Sequence, residues 1–275
     1  MKVKKNILQI VTLILLLAVA AGFMIVAVKQ QNQIESQQKR IEKLEEERST
    51  ESPEQLLTDA AEIAYRSTVV LNVYHSIDAC QSDHTFHDRE GETEKKQILT
   101  AQGSGVAVGE ETVLTCWHII DSGDRTTVSV ADGREFETSL IAEDPLNDLA
   151  LLKVPGLNAI SAIMGGSQEI RRGQIVLCSG TPASQKLQNS LSIGIVSGTE
   201  RKMESLNEKN KTVEVFQTDA AVNGGCSGGG IFNLQGELIG IVSRKYVGAV
   251  NSDTQLEGIG MCVPIKMAQK LLEQS

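Results

Sequence analysis

From Asn6 to Val28 the chain carries no Asp, Glu, Lys or Arg. As a helix this run would extend about 34 Å, enough to cross the hydrocarbon core of a bilayer. The length left for a soluble fold is therefore well below the full 275 residues. Lys2, Lys4 and Lys5 precede the run and Lys29 alone lies close behind it, although Lys39, Arg40, Lys43 and Arg48 leave a wider count ambiguous. The short basic tail (residues 1–5) predicts an inside N-terminus with the remainder exported. Ala18-Val19-Ala20 resembles a signal-peptide cleavage site, but the apolar residues continue through Val28, so a retained signal anchor over 6–28 is preferred. Either way the rest of the chain lies outside the cytoplasm. Cell-membrane localisation, single-pass with the folded part extracytoplasmic, is the expectation.

Composition narrows the class further. Lys plus Arg total 26 against 35 Asp plus Glu, a formal net charge of -9, which offers no broad basic surface for nucleic acid. A hydrophobic share of 41% excludes a disordered tail protein, and 24 glycines favour a turn-rich fold. Five cysteines cannot all pair within one chain, which excludes a pure disulfide scaffold.

Residues 29–52 are rich in Gln, Glu, Lys and Arg and read as a polar, helical stalk. Ile34, Ile41 and Leu44 fit a heptad, but Gln37 and Arg48 interrupt the seam. Pro53 marks entry to the folded part. A short helix, Glu54 to Tyr65, precedes Val69–Tyr74 and then short β-branched runs at Gly105–Val108, Thr112–Thr115, Thr126–Val130, Glu135–Ile141 and Leu149–Val154. A second set follows at Gln174–Cys178, Leu191–Ser197, Val213–Thr218, Gly229–Phe232, Leu238–Ser243 and Gly258–Val263. Turn signals between so many short strands predict an all-β sandwich or pair of barrels. The break near Gly156 to Gly166 divides them six and six, as regions 53–160 and 161–275, and Ile265–Glu273 closes the chain as a helix. His75–Lys96, Glu200–Lys211 and Arg244–Glu257 read as surface loops.

Ser227 lies in Asn223-Gly224-Gly225-Cys226-Ser227-Gly228-Gly229-Gly230. A serine among glycines suits a tight turn with exposed backbone N–H groups, which fits either a nucleophile or a plain flexible turn. His118 ends a predicted strand, and Asp148 heads the buried run Leu149–Val154. The order His118, Asp148, Ser227 is that of the chymotrypsin-type triad. Gly103–Val106, Leu114–Ile120, Asp144–Val154, Thr218–Gly229 and Gly258–Pro264 resemble, in order and spacing, successive blocks of the HtrA (Deg) family, over about Glu54 to Leu272.

The resemblance implies two six-stranded antiparallel β-barrels of chymotrypsin type with the triad between them. It also implies a serine endopeptidase acting without ATP on misfolded or exported proteins. His118 would be the general base and then acid, Asp148 its orienting group and Ser227 the nucleophile. Gly225 and Ser227 N–H groups would form the oxyanion hole. No metal or organic cofactor is implied. Family members commonly assemble as trimers, so a homo-oligomer is expected, and small aliphatic side chains are expected before the cleaved bond. The chain stops shortly after Leu272, so a member without the C-terminal PDZ module is expected. A holding chaperone or scaffold on the same fold is the rival reading.

Several residues depart from the family's pattern. Gly224-Gly225-Cys226 and Gly230 stand where Pro-Gly-Asn and Pro are usual, which predicts a more mobile oxyanion loop and an inactive resting conformation. Cys226 and not Asp precedes the serine, so activation by a cleaved N-terminal amine is not expected. Ordering of Glu200–Lys211 and Arg244–Glu257 is the expected control. Cys116 and Cys226 sit within two residues of the triad and form a conceivable redox pair, though two small buried side chains are the plainer reading. Cys178 and Cys262 fall in strand patterns. Cys80, Asp83, His84, His87 and Asp88 have no established zinc spacing and read as a solvated loop.

Overall fold

A computed structural model describes residues 24, 27–40, 52–78, 95–165, 170–246 and 257–274. Two compact units, Met1–Pro53 and Glu54–Ser275, divide the chain. In the first, residues 27–40 form an exposed helix, α1, within the expected stalk. Residues 6–23, most of the expected anchor, lie outside the described residues, and among those described no helix is long and apolar enough to cross a membrane.

Helix α2 (Pro53–Ser67) opens the second unit, with Glu54 in its first turn and Arg66 in its last, both favourable to the helix dipole. Ala60 and Ala64 are buried on its inner face. Strands β1 (Thr68–Asp78), β2 (Lys95–Gly109), β3 (Thr112–Thr115), β4 (Arg125–Ser129), β5 (Glu135–Glu137), β6 (Ser139–Asp144) and β7 (Leu149–Lys153) form one sheet in the order β5-β4-β1-β2-β3-β7-β6. A second sheet comprises β8 (Ile163–Met164), β9 (Ile175–Gly180), β10 (Ser190–Glu204), β11 (Thr212–Thr218), β12 (Gly230–Phe232), β13 (Glu237–Lys245) and β14 (Gly260–Pro264). Its order is β12-β9-β10-β11-β14-β13-β8, and β12 also pairs with β13. The fold is all-β with two curled sheets.

Each sheet thus has seven strands where six were expected. In the first, the run Glu135–Ile141 turns a corner at Thr138. β5 pairs with β4 (Thr127↔Glu137), and β6 then pairs with β7 (Ser139↔Lys153). One bent run therefore supplies both edges, and the sheet closes on itself. In the second, the β12–β13 pairing closes the sheet, and the extra strand β8 is a two-residue parallel addition to β13 inside the expected inter-barrel break. Alternation could not reveal so short a piece.

Further boundaries moved. β1 runs on to Asp78 and β2 starts at Lys95, ten residues before the expected Gly105, so both take residues from the expected loop His75–Lys96; β13 likewise runs to Lys245, into the expected loop Arg244–Glu257. β10 continues through the polar stretch to Glu204, so only residues 205–211 remain of the expected loop Glu200–Lys211. Arg201, Lys202 and Glu204 are exposed, and a strand solvated on both faces shows no apolar alternation to read. The C-terminal helix is a 3₁₀ turn (Ile265–Ala268) followed by α4 (Gln269–Leu272).

Candidate active site

β3 ends at Thr115, three residues before His118. Cys116 is extended, and Trp117–Ile120 form a single helical turn, α3, that carries His118; the predicted strand end is therefore a helix start. The N–H of Trp117 donates to the carbonyl of Asp148 at 3.2 Å, which ties this turn to the β6–β7 turn. There Asp144 caps the turn by accepting from Asn147 N (3.1 Å) and Nδ2 (2.7 Å). Asp148 itself sits at φ 58, a left-handed conformation that Asp tolerates better than most residues. That twist aims its carboxylate inward beneath His118.

The Nδ1 of His118 lies 2.9 Å from Oδ1 and 2.8 Å from Oδ2 of Asp148, and the His118 backbone N–H donates to Oδ1 at 3.0 Å. An ionised carboxylate only accepts, so Nδ1 carries a proton in this pair. Burial pushes the Asp148 carboxyl up. The His118 hydrogen bonds and charge, with the Ser243 hydroxyl, outweigh it and leave the carboxyl below the ordinary Asp value. Asp148 is accordingly a carboxylate at neutral pH although it is buried.

Ser227 occupies a turn stitched to both sheets. Cys226 N donates to Asn223 O (3.0 Å), Gly229 N to Cys226 O (2.9 Å), Gly228 N to Val242 O (2.7 Å) and Ser104 N to Ser227 O (2.8 Å). The Ser104 hydroxyl donates to Gly225 O (2.7 Å) and accepts from Thr181 N (2.8 Å). Gly228 sits at φ +80, where an added Cβ would overlap the Ser104 carbonyl, so no other residue fits there. Gly224 O accepts from Ala183 N at 2.7 Å. Because peptides are planar and trans, the next N–H, that of Gly225, points the opposite way. The same holds for Ser227 N–H, since Cys226 O is taken by Gly229 N. Neither N–H has an acceptor among the described residues.

The Ser227 hydroxyl does not meet His118. It donates to the carbonyl of Ser243 at 2.9 Å, and the described ring hydrogen bonds of His118 all run to Asp148.

Sequence reading missed three contributors. Ser243, two residues before the end of β13, donates from Oγ to Asp148 Oδ2 at 2.8 Å. Asn207, in the β10–β11 hairpin tip, donates from Nδ2 to Asp148 Oδ1 at 3.2 Å. Ser104 is the third, and its place between Gly103 and Gly105 was the only signal available. Beyond Ser243, Arg244, Lys245 and Tyr246 line a cavity of about 510 Å³ together with Lys202, Met203 and Glu204.

Cys116, Cys178, Cys226 and Cys262 are free thiols and buried. Burial raises all four, Cys178 to about 12, and the Asp148 charge adds to the effect at Cys116. Cys116 and Cys226 form no disulfide. Among the described residues the one cluster of metal-type donors is Cys116, His118 and Asp148. Its His–Asp separation of 2.8 Å is a direct hydrogen bond and leaves no room for an ion between them. Cys80, Asp83, His84, His87 and Asp88 lie outside the described residues.

A family model described as trypsin-like peptidase domain matches residues 103–241. The chain is 30% identical over 70% of its length to a serine protease Do-like HtrA of Bacillus subtilis, of which it covers 43%. It is 33% identical over 67% of its length to a probable periplasmic serine endoprotease DegP-like of Halomonas elongata, of which it covers 36%. The chain thus spans about two fifths of the length of these curated relatives. A solved HtrA-type protease AlgW with decapeptide superimposes with a TM-score of 0.62 at 28% identity, over 79% of this chain and 66% of that one.

Proposed function

This chain belongs to the trypsin-like peptidase family, in its HtrA branch, and from that premise we propose that it is a serine endopeptidase that hydrolyses peptide bonds in unfolded or misfolded proteins without ATP. Ser227 attacks the peptide carbonyl while His118 Nε2 takes its proton and then returns it to the leaving amine; Asp148 holds the ring and balances the imidazolium. The N–H groups of Gly225 and Ser227 receive the oxyanion. The observation that carries this reading is the His118–Asp148 pair at 2.8 Å, set in the same unit as a serine turn with two N–H groups that meet no acceptor among the described residues. Before reaction the Ser227 hydroxyl must swing from Ser243 O to His118, which favours conditional activity.

Ala220 and Val222, just before the serine turn, are buried and apolar, and this supports small aliphatic side chains before the cleaved bond. The uncharged run 6–28 supports a membrane anchor with the protease unit on the extracytoplasmic side. The name of the Halomonas relative, a periplasmic endoprotease, is in keeping with that side. Self-association as a homo-oligomer, a trimer by family likeness, completes the proposal.

A fluorophosphonate probe applied to the full chain, alone and with unfolded casein, tests it. Labelling of the wild type but not of Ser227→Ala supports the endopeptidase. No labelling under either condition would favour the holding scaffold. Mapping the casein cuts tests the pocket, and a predominance of cuts after Lys or Arg would overturn it.

A further inference from the structure

The β10–β11 hairpin belongs to the second sheet, yet its tip is built onto the β6–β7 turn of the first. Ser205 Oγ donates to Leu146 O (3.0 Å) and accepts from the N–H groups of Asn207 (3.4 Å) and Glu208 (3.3 Å). Ser205 N donates to Lys211 O at 2.8 Å, which closes the tip. On this platform the Asn207 carboxamide faces two acceptors, Pro145 O at 3.0 Å and Asp148 Oδ1 at 3.2 Å. Only the NH₂ end of the amide can serve both, so its orientation follows from chemistry. One side chain thereby clamps the turn that bears Asp148 and the carboxylate itself.

We propose that Asn207 is a positioning residue of the triad: it holds the Asp148 carboxylate in register with His118 and shares its negative charge, so that docking of the hairpin tip is read directly at the His–Asp pair. This rests on the protease reading for its consequence in turnover. The groups that face Asp148 are His118 from α3, the thiol of Cys116 before it, Ser243 and Arg244 from β13, and Asn207 from the tip. Asp144, on the same turn, is turned to Asn147, and at the tip Glu208 is paired with Lys211. Asn207 is thus the one carboxylate donor that comes from the hairpin.

With this donor removed, the carboxylate charge is less shared and the imidazolium form of His118 is favoured. Asn207→Ala in the full chain should lower kcat on a peptide substrate about tenfold with KM within about twofold, as expected for losing one hydrogen bond to a charged group. The acid limb of its kcat/KM profile should move to higher pH. Asn207→Asp, which adds a charge and cannot donate, should move it further, and Asn207→Gln should restore part of the loss. In a Ser227→Ala background, NMR titration of the His118 ring reads the same shift without turnover. An unshifted titration in Asn207→Ala would overturn the proposal, as would a kcat loss that merely follows a fall in Tm. If the wild type hydrolyses nothing while the titration does shift, the protease reading fails and the Asn207 assignment stands.

Discussion

Replacing Ser104 with Ala removes a single oxygen atom that braces the serine turn. That oxygen is buried, donates to Gly225 O at 2.7 Å and accepts from Thr181 N at 2.8 Å. Thr181 is buried, so its orphaned N–H costs about 1–3 kcal/mol; half-buried Gly225 can find water for its carbonyl and adds about 0.5–1 kcal/mol. A loss of about 1.5–4 kcal/mol in a unit of this size should lower Tm by about 3–16 °C. The catalytic effect is separate. Gly225 N–H is a proposed oxyanion donor, and deleting such a donor outright costs about 10²–10³ in kcat. Ser104→Ala loosens the adjoining peptide and does not delete the donor, so kcat should fall about ten- to a hundredfold with KM little changed. Steady-state kinetics on a peptide substrate and a thermal melt measure both. An unchanged kcat with a lowered Tm would refute the link from Ser104 to the oxyanion hole, and an unchanged Tm would refute the energetic reading altogether.

Gly228→Ala should prevent folding, because it meets both a left-handed φ of +80 and the Ser104 carbonyl; Gly133→Ala, at φ +87 but with open space around it, should cost only about 1–2 kcal/mol. Soluble yield and melting curves of the two variants compare crowding with backbone strain, and equal behaviour would contradict the packing described. In a Cys80→Ser chain, Cys116, Cys178, Cys226 and Cys262 should be inert to a thiol reagent such as DTNB at pH 8 and react only on unfolding, since all four are buried with raised thiols. Rapid stoichiometric labelling of the native protein would show that one of them is exposed.

The residues proposed to carry chemistry were readable because each has a local signature. A serine among glycines, a histidine after an apolar strand and an aspartate heading Leu149–Lys153 all show in short windows. The residues that hold them were not. Ser243 ends an ordinary strand pattern, and Asn207 sits in a polar stretch whose composition says only that it is solvated. Each meets Asp148 across the interface between the sheets, at a sequence distance that no periodicity spans. The strand count went astray for a related reason. Whether Glu135–Ile141 is one strand or two depends on which neighbours accept its hydrogen bonds, and the hydrophobic pattern is the same in both cases.

The hydrogen bond from Ser227 to Ser243 O has a consequence for how deep any resting state can be. A neutral hydrogen bond contributes about 0.5–1.5 kcal/mol net, so on its own it biases the hydroxyl toward that carbonyl by about twofold to tenfold. Such a bias leaves a sizeable minority of molecules armed at every moment. The contact is therefore a dimmer and not a lock, and full silence between substrates would require a second restraint acting in series with it.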